Sequence, residues 1–422
     1  MAVVRYETKD GTRWRVRWKE PDGGWRSVTK RSKRDALAID ADVKARRYRG
    51  DALPRPGRDT LADAYDEWLR LRAPRLATHT QRVYKLSWQK HIQERGFDAH
   101  RLSDLVANPM LLEELTAEMR EDGVGPAAQR KTLVVLSSVL TACVRWKKIP
   151  TNPVWRMPKP TTKRERHPHP FPPLVVERIR LRMMRRDTRD QSGLRPLGDA
   201  CLVSLLSYAG LRPGEALALT IGDIGTRTLA VDKAIADGVV GPTKTGRARS
   251  VPLSQALAHD LKTWRVESGD PPSTAFVFPG NNGNPWSRAQ ANNWRARVWR
   301  PVLKDLATQR TLEQLGTAIP YDCRGSFVSL HLRAGASPLE VARWAGHSPQ
   351  VMFDRYANVI DELVGEPILP VDEQIRRARD AVAGRSRREL DELVAELFER
   401  PTLAAAGGKG AAKVFYEPAG PS

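Results

Sequence analysis

The stretch NPVWRMPKPTTKRERHPHPFPP, residues 152–173, sets the strongest limit on how this chain can fold. Proline fixes φ and lacks a backbone N–H, so a segment this dense in proline sustains no helix. It is also rich in basic residues, and it reads as an extended linker. It therefore divides a chain of 422 residues, too long for one ordinary domain, into separately packed parts. A second break, DALPRPGRD, carries two prolines and a glycine. These breaks predict a unit over 1–50, a linker over 51–59, a unit over 60–155, a linker over 156–173 and a unit over 174–365. A tail over 366–422 follows, with a charged helical stretch at 371–399 and an end read as disordered.

Composition narrows the partner class. Hydrophobic residues make up 41% of the chain, enough for real cores, so wholesale disorder is excluded. No run of about 18 apolar residues exists to span a membrane, and the N-terminus lacks the apolar core of a signal peptide. Cys143, Cys201 and Cys323 are far apart and form no C-x-x-C pair, which fits a reducing cytoplasm. Lysine and arginine total 70 against 49 acidic residues, a net charge of +21. Such an excess favours a polyanion, DNA or RNA first; the alternatives are an acidic membrane surface or a merely soluble basic protein, and charge alone does not separate them.

In the first unit, TRWRVRWK alternates strictly. Trp14, Val16 and Trp18 fall on one face, and Arg13, Arg15 and Arg17 on the other. A half-buried strand with a basic outer face is expected, with WRSVTK as its partner and a helix from Ser32, its N-cap, to Tyr48. A small sheet plus one helix this basic is a candidate DNA reader, because a β-ribbon fits the major groove. The unit at 60–155 reads as wholly helical. Thr60/Asp63 and Thr78/Gln81 look like capping boxes, and Leu61, Tyr65, Trp68 and Leu69 share a face. Arg82, Lys85 and Lys131 are candidate phosphate contacts between the aromatic positions; a solvated face explains them equally well. His167 and His169 have no neighbours to complete a metal site.

The third unit holds chemistry-bearing segments among helices and one expected β-hairpin. In AGLRPGEALAL, Pro213 suits the first helical position and puts Arg212 at the helix mouth, where a guanidinium meets a phosphate oxygen. Glu215, three residues on, can brace basic neighbours. In VVGPTKTGRARSVPL (239–253), Gly246 allows a tight turn, Lys244 lies just before it, and Arg249 and Val251 alternate beyond. In PYDCRGSFVSLHLRAGASPLEVARWAGHSPQ (320–350), Arg324 sits on a helix, Ser337-Pro338 with Glu340 starts another, and Gly346 places His347 in a bend. His331 and Arg333 look like a reactive pair and are read as a decoy. Tyr356 lies about two turns into the next helix; alone, it reads as a core aromatic.

The order of these segments resembles the tyrosine recombinases, the phage integrase family. The first arginine box is AGLRPGEALAL, the hairpin-lysine box TKTGRARSVPL, the second arginine box YDCR, the glycine–histidine step AGASPLEVARWAGH and the nucleophile box FDRYANV. One box is weak, but five in order are hard to obtain by chance. The fold class the resemblance implies is multidomain and mainly α with small β elements. It comprises an N-terminal sheet-plus-helix domain for arm-type DNA sites, a helical core-binding domain and an α+β catalytic domain. It further implies that Tyr356 forms a 3′-phosphotyrosine, that Arg212, Arg324 and His347 hold the phosphate, that Lys244 protonates the leaving oxygen, and that Glu215 orients the basic groups. Tyr321 stands where the family usually has histidine, so only a supporting role is carried over to it. No metal or other cofactor is implied. The implied partners are double-stranded DNA, bound at core and arm attachment sites, four protomers on that DNA, a host bending factor and an excision factor. The tail is implied to dock on a neighbouring protomer. The rival readings are a type IB topoisomerase, a DNA binder that has lost catalysis and a basic RNA-binding protein.

Overall fold

The computed structural model describes residues 2–8, 11–19, 25–48, 59–160, 170–186, 194–362 and 367–399. His167, His169 and the end from residue 400 lie outside these residues. The chain divides into two compact units, residues 1–163 and 164–422.

The first unit opens with an antiparallel sheet of β1 (Ala2–Thr8), β2 (Gly11–Lys19) and β3 (Trp25–Lys30), followed by α1 (Lys33–Tyr48). The period-two pattern of β2 puts Val16 and Trp18 in a small core with Ala36 and Val43 of α1. The Ser32 hydroxyl caps α1, accepting from the N–H groups of Arg34 and Asp35. A separate helical core follows, built from α2 (Leu61–Leu71), α3 (Thr78–Trp88), α4 (Leu102–Ala107), α5 (Met110–Glu121) and α6 (Pro126–Arg145). Tyr65 stacks on Trp88 with ring centroids 3.7 Å apart, so these aromatics are core, as their helical spacing predicts. The Thr60/Asp63 capping box forms. The one expected at Thr78 does not: Ala77 is the N-cap, and Gln81 instead donates to the Leu76 carbonyl. The proline-rich stretch also starts later than read, because Val154 and Met157 are buried in this helical core.

The second unit runs through α7 (Pro173–Met184), α8 (Pro196–Tyr208), α9 (Pro213–Ala218), β4 (Thr228–Val231), β5 (Lys233–Ala236), β6 (Val239–Pro242), β7 (Arg249–Pro252) and α10 (Gln255–Glu267). It continues with α11 (Arg288–Trp294), α12 (Arg300–Leu306), α13 (Leu312–Gly316), α14 (Cys323–Arg333), α15 (Pro338–Ala345), α16 (Pro349–Glu362), α17 (Val371–Ala383) and α18 (Arg387–Glu399). Its core gathers Val176, Val203, Leu205, Phe327, Val328 and Val341.

Two expectations are corrected here. Residues 239–253 are not one hairpin. β6 turns back on β5 through Asp237 and Gly238, both at positive φ, while β7 pairs with β4. Burial explains the choice: Val251 and its partner Leu229 are fully buried, whereas Val239 is 62% exposed. The stretch at 371–399 is not a tail outside the domain. α17 and α18 add Ile375, Val382, Leu390 and Val394 to the same core. Their charges are bound to it as well. Arg379 donates to Asp260 at 2.7 Å and to Glu177 at 3.2 Å, and Arg178 of α7 donates to the Leu390 carbonyl and to Asp391. The stretch thus docks on its own chain.

Candidate functional site

The site forms where three helix starts and one strand converge. Pro213 opens α9 and leaves Arg212 as its N-cap. The Glu215 carboxylate reaches back to the Arg212 backbone N–H at 2.9 Å, and Arg212 Nη1 donates to Glu215 Oε1 at 2.7 Å. Arg212 Nη2 donates to the Gly346 carbonyl at 2.7 Å. Gly346 ends α15 at φ +64°, a left-handed cap that glycine adopts without steric cost.

Arg324, in the first turn of α14, is fully buried. Its Nη1 donates to the carbonyl of Gly210, another left-handed glycine, and its Nε donates to His347 Nε2 at 3.0 Å. Its Nη2 is buried without a partner. Burial, then the like charge of Arg212, pushes the Arg324 guanidinium down to about 10, so it stays charged at neutral pH. With Nε2 of His347 accepting, the ring proton of the neutral imidazole sits on Nδ1, which is also buried and unpartnered. Burial first, then the charges of Arg324, Arg212, Arg355 and Arg249, push His347 down to about 3. Its ring lies over that of Tyr356, centroids 6.0 Å apart. Tyr356 is 2% exposed, and burial pushes its phenol up to about 12 against the pull of Arg324.

The structure therefore brings together Arg212, Glu215, Arg324, His347 and Tyr356. Tyr321 is half-buried just before α14, close enough for its phenol to act on Arg324 and Tyr356. Lys244 is not joined to the cluster by any hydrogen bond or ion pair; it is exposed, in a turn closed by the Gly246 N–H donating to the Thr243 carbonyl. His331 lies between the rings of Phe327 and Trp344, where burial alone pushes it down to about 4, and it is a core histidine. Among the expected DNA contacts, Arg15 and Arg17 are exposed and Arg13 half-buried on β2. Lys85 and Lys131 are exposed on α3 and α6, and Arg82 is half-buried, facing His79.

One residue escaped the sequence reading. Arg249 of β7 donates to both Glu215 oxygens, at 3.1 and 2.6 Å, and to the Trp344 carbonyl at 2.8 Å. The signal was present: Arg249 alternates with Val251, which is core, so both side chains point inward. Burial alone would push the Glu215 carboxyl up, but the bonds and charges of Arg249 and Arg212 override it and hold the group below the usual range.

Residues 182–362, which contain this whole cluster, match the phage integrase family. A tyrosine recombinase XerD of Caulobacter vibrioides is 26% identical over 193 residues, 45% of this chain and 59% of that protein. Over this region the chain is similar to the tyrosine recombinases. Two solved structures share the recombinase fold. A Tn1549 transposon integrase in complex with a circular intermediate DNA is 17% identical, with a TM-score of 0.56 over 70% of this chain and 95% of that one. A lambda integrase tetramer bound to a Holliday junction is 16% identical, with a TM-score of 0.50 over 82% and 94%. The chain thus spans about three fifths of the length of the curated recombinase it matches.

Proposed function

We propose that this recombinase cuts and rejoins DNA strands through a 3′-phosphotyrosine and so integrates or excises a phage or another mobile element. One observation carries the reading. A fully buried arginine with an unpartnered Nη2 stands beside an unpartnered, buried histidine N–H and a buried tyrosine. Burying a charge without a counter-ion costs several kcal/mol, at order of magnitude. An entering phosphodiester supplies the missing acceptors for both groups and relieves that cost.

In this scheme Tyr356 Oη gives its proton to solvent water and attacks the scissile phosphorus as the phenolate. The bond to the 5′-oxygen breaks, and that oxygen leaves as a hydroxyl with a proton from Lys244, once its turn has moved in over the DNA. Arg212, Arg324 and His347 Nδ1 hold the charge that builds on the non-bridging oxygens. Glu215 fixes Arg212, and Tyr321 is a hydrogen-bonding neighbour of the phosphate. A 5′-hydroxyl of the second duplex then attacks the phosphotyrosine and restores the diester, with no external energy source. Two duplexes with two exchanges each call for four protomers. The sheet over 1–50 would hold arm sites and the helical unit the core site, through Arg82, Lys85 and Lys131. A host bending factor and an excision factor would set direction, and the substrate places the protein in the cytoplasm or nucleoid.

The test mixes a supercoiled plasmid carrying the DNA that flanks the gene with a linear fragment carrying its partner site. A joined product that depends on both sites is expected. Relaxation of a plasmid lacking either site, with no joined product, would instead favour a topoisomerase.

A further inference from the structure

Residues 209–212 form the short connection between α8 and α9, and both phosphate-facing arginines depend on it. The Gly210 carbonyl accepts from Arg324 Nη1, and the last residue of the connection is Arg212 itself. The connection starts from Tyr208, the final residue of α8, which is fully buried. The Tyr208 hydroxyl donates to Glu177 Oε1 on α7. Burial, then the charge of Glu177, pushes the Tyr208 phenol well above its ordinary range, so it keeps its proton and stays a donor.

Glu177 lies outside the phosphate-facing cluster and is held from two more sides. Its Oε1 also accepts from Arg379 Nε at 3.2 Å, and its Oε2 accepts from Arg180. Arg180 and Arg379 reach on to Asp260 of α10, at 2.8 and 2.7 Å, and the Ser204 hydroxyl of α8 donates to Asp260 at 2.8 Å. Two buried carboxylates and two arginines thus tie α7, α8, α10 and α17 together with their charges balanced. Stability alone does not call for this arrangement, because apolar residues of similar volume serve a core as well. What a satisfied buried network contributes is rigidity, since moving one member strands its partners. Little slack separates that network from the site. Ala209 and Leu211 are fully buried, and Gly210 lies so close to Phe327 that a Cβ there would be 2.6 Å from its Cγ. A shift of Tyr208 therefore passes to the Gly210 carbonyl and on to Arg324.

We propose that Tyr208 is a positioning residue for strand cleavage: its bond to Glu177, braced by Arg180 and Arg379, sets the Gly210 carbonyl and through it the Arg324 guanidinium that meets the phosphate. This rests on the phosphotyrosine reading above and adds to it residues outside the phosphate-facing cluster. Arg379 brings α17 into the same path, so the docking of that helix on its own chain is felt at Arg324. The atom at stake is Arg324 Nη2, which is buried without a protein partner. A misplacement of about 1 Å there costs on the order of a hundredfold in rate, at most, without altering the affinity for the rest of the duplex.

The test measures single-turnover cleavage of a nicked duplex from the DNA flanking the gene, by the full chain, by Tyr208→Phe, which removes only the hydroxyl, and by Arg379→Gln. The scissile linkage is made in two forms, the ordinary diester and a neutral methylphosphonate in which a methyl replaces one non-bridging oxygen. The neutral linkage builds less charge and depends less on a well-placed guanidinium. Tyr208→Phe is expected to slow cleavage of the diester roughly tenfold to a hundredfold, with duplex affinity unchanged, and cleavage of the methylphosphonate by less than about threefold. Arg379→Gln is expected to show the same contrast, and it carries the test should Tyr208→Phe fail to fold. Arg178→Gln removes bonds from the same α7 to Leu390 and Asp391, and so controls for loosened packing. It should lower the unfolding midpoint without this contrast between linkages. Equal slowing on both linkages, or a full rate on the diester by both folded variants, overturns the proposal and leaves the recombinase reading standing. A wild type that cleaves neither linkage would sink both.

Discussion

Glu215 accepts both prongs of the Arg249 guanidinium, with the two side chains only 1% and 8% exposed, and its near oxygen also holds Arg212. A cation on a strand therefore fixes a cation at a helix mouth through one buried carboxylate. Arg249 is a positioning residue in this arrangement. It leaves Arg212 free to turn its outer edge to a phosphate while its inner edge is held on Glu215 and Gly346.

Removing one partner of such a buried pair strands the other. Arg249→Ala should cost on the order of 3 kcal/mol, because Glu215 keeps its charge with half its donors. Arg249→Ala combined with Glu215→Gln should cost clearly less than the sum of the two single changes. Urea unfolding of all four proteins checks this, and additive effects would contradict the coupling.

Gly210 gives the second test of how the cations are held. Its φ is +60°, and a Cβ placed there would lie 2.6 Å from Phe327 Cγ, on the helix that carries Arg324. Gly210→Ala should lower stability by about 2 kcal/mol or more and weaken DNA cleavage beyond that loss, since the Gly210 carbonyl positions Arg324. Full cleavage in a folded Gly210→Ala protein would show that this contact does not matter.

The titrations of Tyr356 and His347 set a pH profile. Tyr356 is pushed up to about 12, so its reactive phenolate grows about tenfold per pH unit below that value. His347 is pushed down to about 3 and stays neutral across the working range. Single-turnover cleavage should rise steadily between about pH 6 and 9 with no step near 6.5. A step there would mean that His347 titrates in its ordinary range.

The same depression has a stability consequence. His331 and His347 bind a proton near pH 6.5 when unfolded but only near 4 and 3 when folded. Unfolding is therefore favoured progressively as pH falls from about 6.5 towards 4. For His331 the full effect is on the order of 3 kcal/mol. His331→Leu should remove part of this acid sensitivity, measured as the change in unfolding midpoint between pH 7 and 5.

How much of this was legible in the sequence depends on the range of the interaction. Strict alternation in TRWRVRWK, the caps at Ser32, Thr60 and Ser337, and the left-handed stop at Gly346 are local, and each is written in residues a few positions apart. The burial of His331 was legible too, from its place on the apolar side of α14. The pairing of β7 with β4 was not, because local turn chemistry at Gly246 suggested a nearer partner. The cis docking of α17 and α18 was also hidden. Their charged stretch was expected to dock on a neighbouring protomer, whereas Arg379 is paired with Glu177 and Asp260, carboxylates more than a hundred positions upstream in the same chain.

The most direct measurement of the central claim uses nicked duplexes from the DNA flanking this gene, incubated with wild-type protein and with Tyr356→Phe, followed by denaturing electrophoresis and peptide mapping. A denaturation-resistant protein–DNA adduct, formed by the wild type alone and mapped to Tyr356 on a 3′-phosphate, is expected. An adduct of undiminished yield with Tyr356→Phe, or one mapped to another residue, would contradict the account.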